Sequence, residues 1–394
     1  MKRRTAHTRQ TPPSVWKPVY SITPMMAKLL MSIEAARTAV EHLILPPTVE
    51  SELRRQAQLR STHYSTRIEG NRLTLAEADK VIHGSKIGFR GRERDVQEVR
   101  NYWNAILRVE EWAKAPRPVS EELIRKVHAL VEFGARARPT PYRDGQNVIR
   151  DSATGAIVYL PPEAHDVQNL MASLVNWIRG AVKAGTPVPL VAGLAHYQFV
   201  TIHPFFDGNG RTARLLATFL LHSGGYGLNG YLSLEEHHAR DLAGYYRTLA
   251  VHPHHNYYEG RADADLTGWL EYFVATLSET FAAVRREATL LADKGVPKLP
   301  APLRKLDQRA RIVLGLFAKT EQITASDVAH ALGLSERMVR LLLTEWVCGG
   351  WLVVANPSRR KRAYALSAIY RQSIGNTSAN ERQWRKPTRD TPAD

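Results

Sequence analysis

Three things are scarce in this chain of 394 residues. Cysteine occurs once, at Cys348, so no disulfide can form within the chain and a reducing compartment is expected. That thiol has no histidine or acid beside it in Val347-Cys348-Gly349-Gly350-Trp351, and reads as buried filler rather than a nucleophile. Long apolar runs are missing too. None approaches the ~20 residues that cross a bilayer, so no membrane partner is expected. The basic start is broken by Thr11-Pro12-Pro13 before any signal-peptide core, which points to a cytoplasmic protein. Acidic residues are the third shortage: 38 Asp and Glu stand against 54 Lys and Arg, a formal net charge of +16. An acidic partner is implied, nucleic acid first among them, although part of the charge lies in the tails. With 44% hydrophobic and 23% charged residues, the rest has the composition of a globular chain of two or three domains.

What is present concentrates in one stretch, His203-Pro204-Phe205-Phe206-Asp207-Gly208-Asn209-Gly210-Arg211-Thr212-Ala213-Arg214. An apolar-periodic helix from Pro189 to Ile202 precedes it, and another from Thr212 to His222 follows, stopped by Gly224-Gly225. Gly208 and Gly210 allow a tight turn and close approach of a ligand. The N–H groups opening the second helix favour an anion, and Asn209 adds an amide donor. Arg211 and Arg214, three apart, share a helix face and can bracket a polyphosphate. Asp207 can hold a hard divalent cation against those phosphates. His203 alone titrates near neutrality, which makes it the candidate general base. Phosphoryl or nucleotidyl transfer is the chemistry these residues suit.

The stretch resembles the signature of the Fic (Fido) family, H-x-F-x-[D/E]-G-N-G-R-x-x-R, at every fixed position. The resemblance implies transfer of AMP from ATP, with Mg2+, to a Ser, Thr or Tyr hydroxyl of a target protein. It implies His203 as base, Asp207 as magnesium ligand, and Gly208, Asn209 and Gly210 as anion hole. It further implies Arg211 and Arg214 as phosphate ligands and Phe205 as the loop's anchor in the core. Relatives that transfer a phosphate carry lysine in place of the second glycine, and Gly210 speaks against that variant. The implied fold is mostly α: a Fic-type helical bundle with a short β-hairpin flap, plus a C-terminal winged helix-turn-helix.

Two further stretches join the reading. Ser65 and Glu69 lie four apart before Gly70, on one helix face near its end. Beside the signature this resembles the family's inhibitory helix, [S/T]-x-x-x-E-[G/N], in which the glutamate pairs with the second signature arginine, here Arg214. Tyr142 to Tyr159 changes period: Val148, Ile149, Ile157, Val158 and Tyr159 are strand-like around a turn at Asp151-Ser152-Ala153-Thr154-Gly155. Arg143 to Pro162 fits the family's flap, which pairs with the target backbone by strand addition.

The chain divides into a basic disordered tail (1–14), an N-terminal helical region (15–117) holding the inhibitory segment (about 61–70), a catalytic core (118–292), a Pro/Lys linker (293–307), a winged helix-turn-helix (308–367) and a disordered tail (368–394). Within the N-terminal region, Ile22 to Leu45 reads as one helix, and further on Ser233 to Tyr246 reads as another. In the C-terminal domain Ser335 caps a recognition helix bearing Arg337 and Arg340, and a basic wing carries Arg359, Arg360, Lys361 and Arg362. His128 reads as a packed helical histidine. His237, His238, His252, His254 and His255 fit no zinc spacing and read as solvated or loop histidines. No fixed spacing singles out an adenine pocket, Asn256 and Tyr257 being the suggestions nearest to hand. The sequence reading is thus a Glu69-inhibited protein adenylyltransferase. Two alternatives stand beside it: a DNA-binding transcriptional regulator using the core as nucleotide sensor, and a de-AMPylase. Expected partners are an unnamed target protein, the chain itself by self-modification, DNA, and a second copy in a homodimer.

Overall fold

The computed structural model describes residues 16–43, 45–84, 91–115, 117–134, 138–150, 154–293, 306–318, 320–332, 334–358 and 362–371. The tail at 1–14, most of the linker, Asp151 to Ala153 of the flap turn, Gly333, and Arg359, Arg360 and Lys361 of the wing lie outside the described residues. The chain divides into two compact units, one of Met1–His42 with Leu53–Glu287, the other of Leu43–Glu52 with Ala288–Asp394.

The first unit is helical around α7 (Val188–Ile202) and α8 (Asn209–Ser223), which form its centre. Thirteen of the α7 residues named from Pro189 to Ile202 are buried, so that helix is apolar on every side, as a central helix must be. Around the pair stand α4 (Glu93–Ala113), α5 (Glu121–Phe133) and α6 (Ala164–Lys183), with α1 (Pro24–Glu41), α2 (Pro47–Ile68) and α3 (Leu75–Ile82) before them in the chain. A further helix, α11 (Thr267–Asp293), crosses α7 closely: a Cβ at Gly193 would stand 2.8 Å from Phe273, and Trp269 Nε1 donates to Gly193 O at 2.8 Å. Side-chain caps set the starts of several helices. Thr74 and Glu77 form a capping box on α3, and Ser120 accepts from Leu123 N on α5. The flap is a hairpin of β1 (Ile149–Arg150) and β2 (Ile157–Tyr159) with Ile149 opposite Tyr159; Val148 lies just before the first strand.

Some boundaries depart from the periodicity. The first helix ends at Glu41, and Pro47 opens α2 from its first turn, where a missing N–H costs nothing. The segment read as one helix from Ser233 is two, α9 (Glu235–Arg240) and α10 (Leu242–Leu249). Asp241 leaves helical geometry (φ −119°, ψ 61°) and caps the second by accepting from Gly244 N. His238 is not solvated: it is 1% exposed, with Nδ1 3.2 Å from Tyr272 Oη, in an aromatic cluster with Tyr245 and His196.

The second unit contains α12 (Gln308–Leu314), β3 (Ile323–Thr324), α13 (Ala325–Leu332), α14 (Glu336–Cys348), β4 (Leu352–Asn356) and β5 (Ala363–Leu366). The strands make an antiparallel sheet in the order β3-β5-β4, closed over Val313, Val328, Val339, Leu343, Trp346 and Trp351. Ser335 caps α14 by accepting from Met338 N. Cys348 is exposed, against expectation. The buried stripe of α14 runs through Val339, Leu343 and Trp346, and a residue two beyond Trp346 falls on the opposite face.

Candidate active site

The loop between α7 and α8 is bent by two left-handed residues. His203 caps α7 at φ 52° and ψ 58°, its N–H still donating to Phe199 O, and Gly208 opens α8 at φ 72°. A histidine in that region is strained, a feature that clusters at functional sites. Its ring is half-buried, and burial lowers its pKa to about 4. The ring is therefore neutral at pH 7. Nδ1 lies 3.3 Å from Val200 O, and since a carbonyl only accepts, Nδ1 carries the hydrogen and Nε2 keeps a lone pair. The ring is thereby oriented by a carbonyl of its own helix.

Phe205 anchors the loop. It is 1% exposed and stacks on His128 with centroids 3.7 Å apart. His128, packed as expected, also supports the loop: its Nε2 donates to Asp207 O at 2.8 Å, leaving Nδ1 to accept from Thr140 Oγ1 at 2.9 Å. Asn209 departs from its expected use. Its amide folds back, Oδ1 accepting from Phe205 N at 3.0 Å and Nδ2 donating to Phe205 O at 2.8 Å. The side chain braces the loop, which leaves the backbone N–H groups of the first turn of α8, without internal acceptors as at any helix start, as the donors an anion could use there. Asp207 lies at the mouth, 65% exposed, with Oδ1 accepting from Gly208 N.

The two arginines do not close on one point. Arg214 turns toward α2: its Nε donates to Ser65 Oγ (2.8 Å), and its Nη2 to Ser65 O (2.9 Å) and Glu69 Oε1 (2.8 Å). Burial alone would press the charge off this guanidinium, and the Glu69 carboxylate raises its pKa instead. Arg211 turns the other way. Its Nη2 stands 2.7 Å from Glu132 Oε1 on α5 and 3.5 Å from Asp207 Oδ1, and its Nη1 4.0 Å from Glu98 Oε1 on α4. Both arginines are buried, each against an acid. The two glycines make room for those acids: a Cβ at Gly208 would meet Glu132 Oε1 at 2.4 Å, and one at Gly210 would meet Glu69 Oε1 at 2.3 Å.

Glu69 lies in the turn just past α2, which Gly70 ends at φ 90°. From Ser61 onward α2 buries Ser61, Thr62, His63, Ser65 and Thr66, with Ile68 the one apolar residue among them. Ser61 Oγ donates to Glu235 Oε2 at 2.8 Å, and Tyr102 donates to the other oxygen of that buried acid. One turn earlier Gln58 donates to Glu110, whose pKa burial raises to about 7.

The flap is fixed to the loop by Tyr159 and by two residues, Arg143 and Asn147, to which the sequence reading gave no role. Arg143 donates from Nε to His203 O (2.9 Å), from Nη1 to Gly145 O (2.9 Å) and from Nη2 to Pro162 O, while its backbone N–H donates to Pro204 O. Asn147 Nδ2 donates to Phe205 O, and Tyr159 Oη to Thr201 O at 2.6 Å. Ile157 and Val158 are exposed. Asn256 caps a short π-turn, Tyr257–Arg261, in which Tyr257 is buried. Among the described residues no group of three or more His, Cys, Asp or Glu is arranged to hold a metal. No helix among them is long and apolar enough to cross a membrane. In the second unit Arg337 and Arg340 are exposed on α14, Arg340 pairing with Glu336, and Arg362 lies over the Tyr364 ring.

These features define a class: a helical domain whose glycine-flanked helix start lies beside a neutral, oriented histidine. The chain matches the Fic/DOC family over residues 118–221. It is 28% identical to the protein adenylyltransferase Fic of Drosophila willistoni over 203 residues, 50% of this chain and 38% of that protein. The same identity and length relate it to the Drosophila virilis protein of that name. The chain thus spans about two fifths of the length of these curated relatives, 38% and 39%. Among solved structures it is similar to a Fic family protein from Desulfovibrio desulfuricans G20, at 27% identity and a TM-score of 0.57, over 90% of this chain and 99% of that one. A Fic domain containing signaling protein from Bacteroides thetaiotaomicron shares the fold at a TM-score of 0.57 and 24% identity, covering 68% of this chain and 97% of that one.

Proposed function

We propose that this chain transfers AMP from ATP to a hydroxyl of a protein, and that Glu69 holds the reaction off. The observation that carries the reading is the neutral His203, its Nε2 lone pair free, beside the start of α8. Nε2 would take the proton of the target hydroxyl, whose oxygen attacks the α-phosphorus while pyrophosphate leaves. The first-turn N–H groups of α8 would bind phosphate oxygens, and Arg211 and Arg214 the remaining charge. The exposed carboxylate of Asp207, a hard oxygen donor at that mouth, fits Mg2+, whose other ligands would come from phosphates and water. Such an ion would neutralise charge on the phosphates. Ile157 and Val158 on the flap suit an extended target segment added by strand pairing.

The test is transfer of labelled AMP by the wild type, Glu69→Gly and Glu69→Gly/His203→Ala. Labelling should rise with the first change and vanish with the second; on the chain alone it reads self-modification, and analytical ultracentrifugation alongside reads a homodimer. No labelling in any of the three, with ATP still bound, would favour the nucleotide-sensing regulator. AMP release from a premodified target would favour the reverse reaction.

For the second unit we read a winged helix-turn-helix that binds DNA, because exposed Arg337 and Arg340 lie on α14, the helix that Ser335 caps. Duplex binding by the full chain should weaken with salt, and Arg337→Ala/Arg340→Ala should lower the slope of that dependence by about two. An unchanged slope would point to a protein-contact role.

A further inference from the structure

The turn that carries Glu69 is tied to the core a second time, two residues further on. The Asn71 N–H donates to Thr66 O at 3.1 Å, closing the end of α2. Its side chain is 6% exposed and makes three bonds. Oδ1 accepts from Leu73 N (3.1 Å), while Nδ2 donates to Asp95 O (2.9 Å) and to Glu98 Oε2 (3.0 Å). The other oxygen of Glu98 accepts from Arg94 Nε at 2.9 Å and lies 4.0 Å from Arg211 Nη1. One carboxylate thus touches the turn on one side and faces the first signature arginine on the other.

We propose that Asn71 is a positioning residue, and that its bond to Glu98 is a second latch holding Glu69 over Gly210. Its effect on transfer rests on the proposed AMP chemistry; the latch itself does not. Glu69 is 31% exposed and follows the end of a helix, so its pair with Arg214 is partly solvated. The buried amide of Asn71 fixes the backbone from which that side chain starts. It adds to the bonds from Arg214 to Ser65, one turn earlier on α2. A hydrogen bond to a carboxylate is the stronger kind.

Asn71→Asp is nearly isosteric and can still accept from Leu73 N, but it sets a second carboxylate against Glu98. In Asn71→Asp/Glu98→Gln the amide introduced at position 98 can donate to the carboxylate introduced at position 71, which restores the bond with roles exchanged. Hydrogen exchange over residues 66–71 and AMP transfer are read on the full chain for both variants, with Glu69→Gly alongside. Asn71→Asp should raise both on the order of tenfold, and the double variant should bring both part of the way back, because the carboxylate at position 71 still faces Asp95 O. Exchange unchanged in Asn71→Asp, or no lower in the double variant than in Asn71→Asp, overturns the latch. If exchange follows the expected pattern while Glu69→Gly transfers nothing, the latch stands and the AMP chemistry falls.

Discussion

The carboxylate of Glu69 fills the space above Gly210, with Oε1 2.8 Å from Arg214 Nη2 and 2.3 Å from the place an alanine Cβ would take. Acid and glycine are therefore matched. Gly210→Ala must push the carboxylate aside yet leaves a methyl in the anion site. Stability should fall by about 1–3 kcal/mol, without the gain in AMP transfer expected for Glu69→Gly. Denaturant unfolding and labelling check this, and labelling equal to that of Glu69→Gly would contradict it.

Glu69→Gly leaves the Arg214 charge buried, with Ser65 and Tyr245 still beside it but the Glu69 carboxylate gone. The loss should be about 2 kcal/mol, below the usual range for a broken buried pair because Glu69 is partly solvated. ATP with Mg2+ should then raise the melting temperature of the variant more than that of the wild type, since phosphate replaces the missing carboxylate. Equal shifts would speak against a shared site on Arg214.

The histidines set a pH dependence. Burial lowers His128, His203 and His222 to about 4 and His196 to about 3, and lowers His63, His237 and His238 as well. Unfolded histidines take up protons near pH ~6.5, so this stability is present above that pH and is lost as pH falls through 4. Three acids, Glu110 and Glu235 buried and Glu132 half-buried, pull the other way. Glu110, raised to about 7, and Glu132 and Glu235, also raised, contribute stability at low pH that is lost as pH rises. The histidines outnumber them, so unfolding free energy should decline from pH 7 to pH 5. Glu110→Gln should steepen the decline. Denaturation at fixed pH values measures both; a flat profile would show the histidines to be solvated.

Arg143 should act on kcat rather than on nucleotide affinity, because it holds His203 and the flap and touches no residue of the α8 anion site. In the Glu69→Gly background, Arg143→Lys keeps the charge but loses the fork. It should lower transfer on the order of tenfold or more, as misplaced reacting groups do. ATP affinity by calorimetry should barely move. An equal loss in both would place Arg143 in the nucleotide site.

The signature from His203 to Arg214 is legible in sequence because its chemistry is local, with base, glycines and arginines inside one helix–loop–helix. Glu69 is legible through its spacing from Ser65 and its place before Gly70. Glu98 and Glu132 are not. Each is a single acid on an amphipathic helix, written the same way as a solvated one, and its meaning comes from Arg211 far along the chain. Arg143 and Asn147 are hidden likewise, since their acceptors are backbone carbonyls that any residue could supply. Asn209 misleads for a related reason: a side chain that braces its own loop and one that faces a ligand have the same spacing. Cys348 shows that a small apolar neighbourhood in sequence does not fix which helix face a residue takes.

The polar underside of α2 has a consequence for the open protein. A helix lifted from an oily seat would bare a sticky surface and invite aggregation. Ser61, Thr62, His63, Ser65 and Thr66 would meet water instead, and so would the groups they leave. If Glu69 inhibits as proposed, release of this helix end would bare few apolar side chains, Ile68 among them.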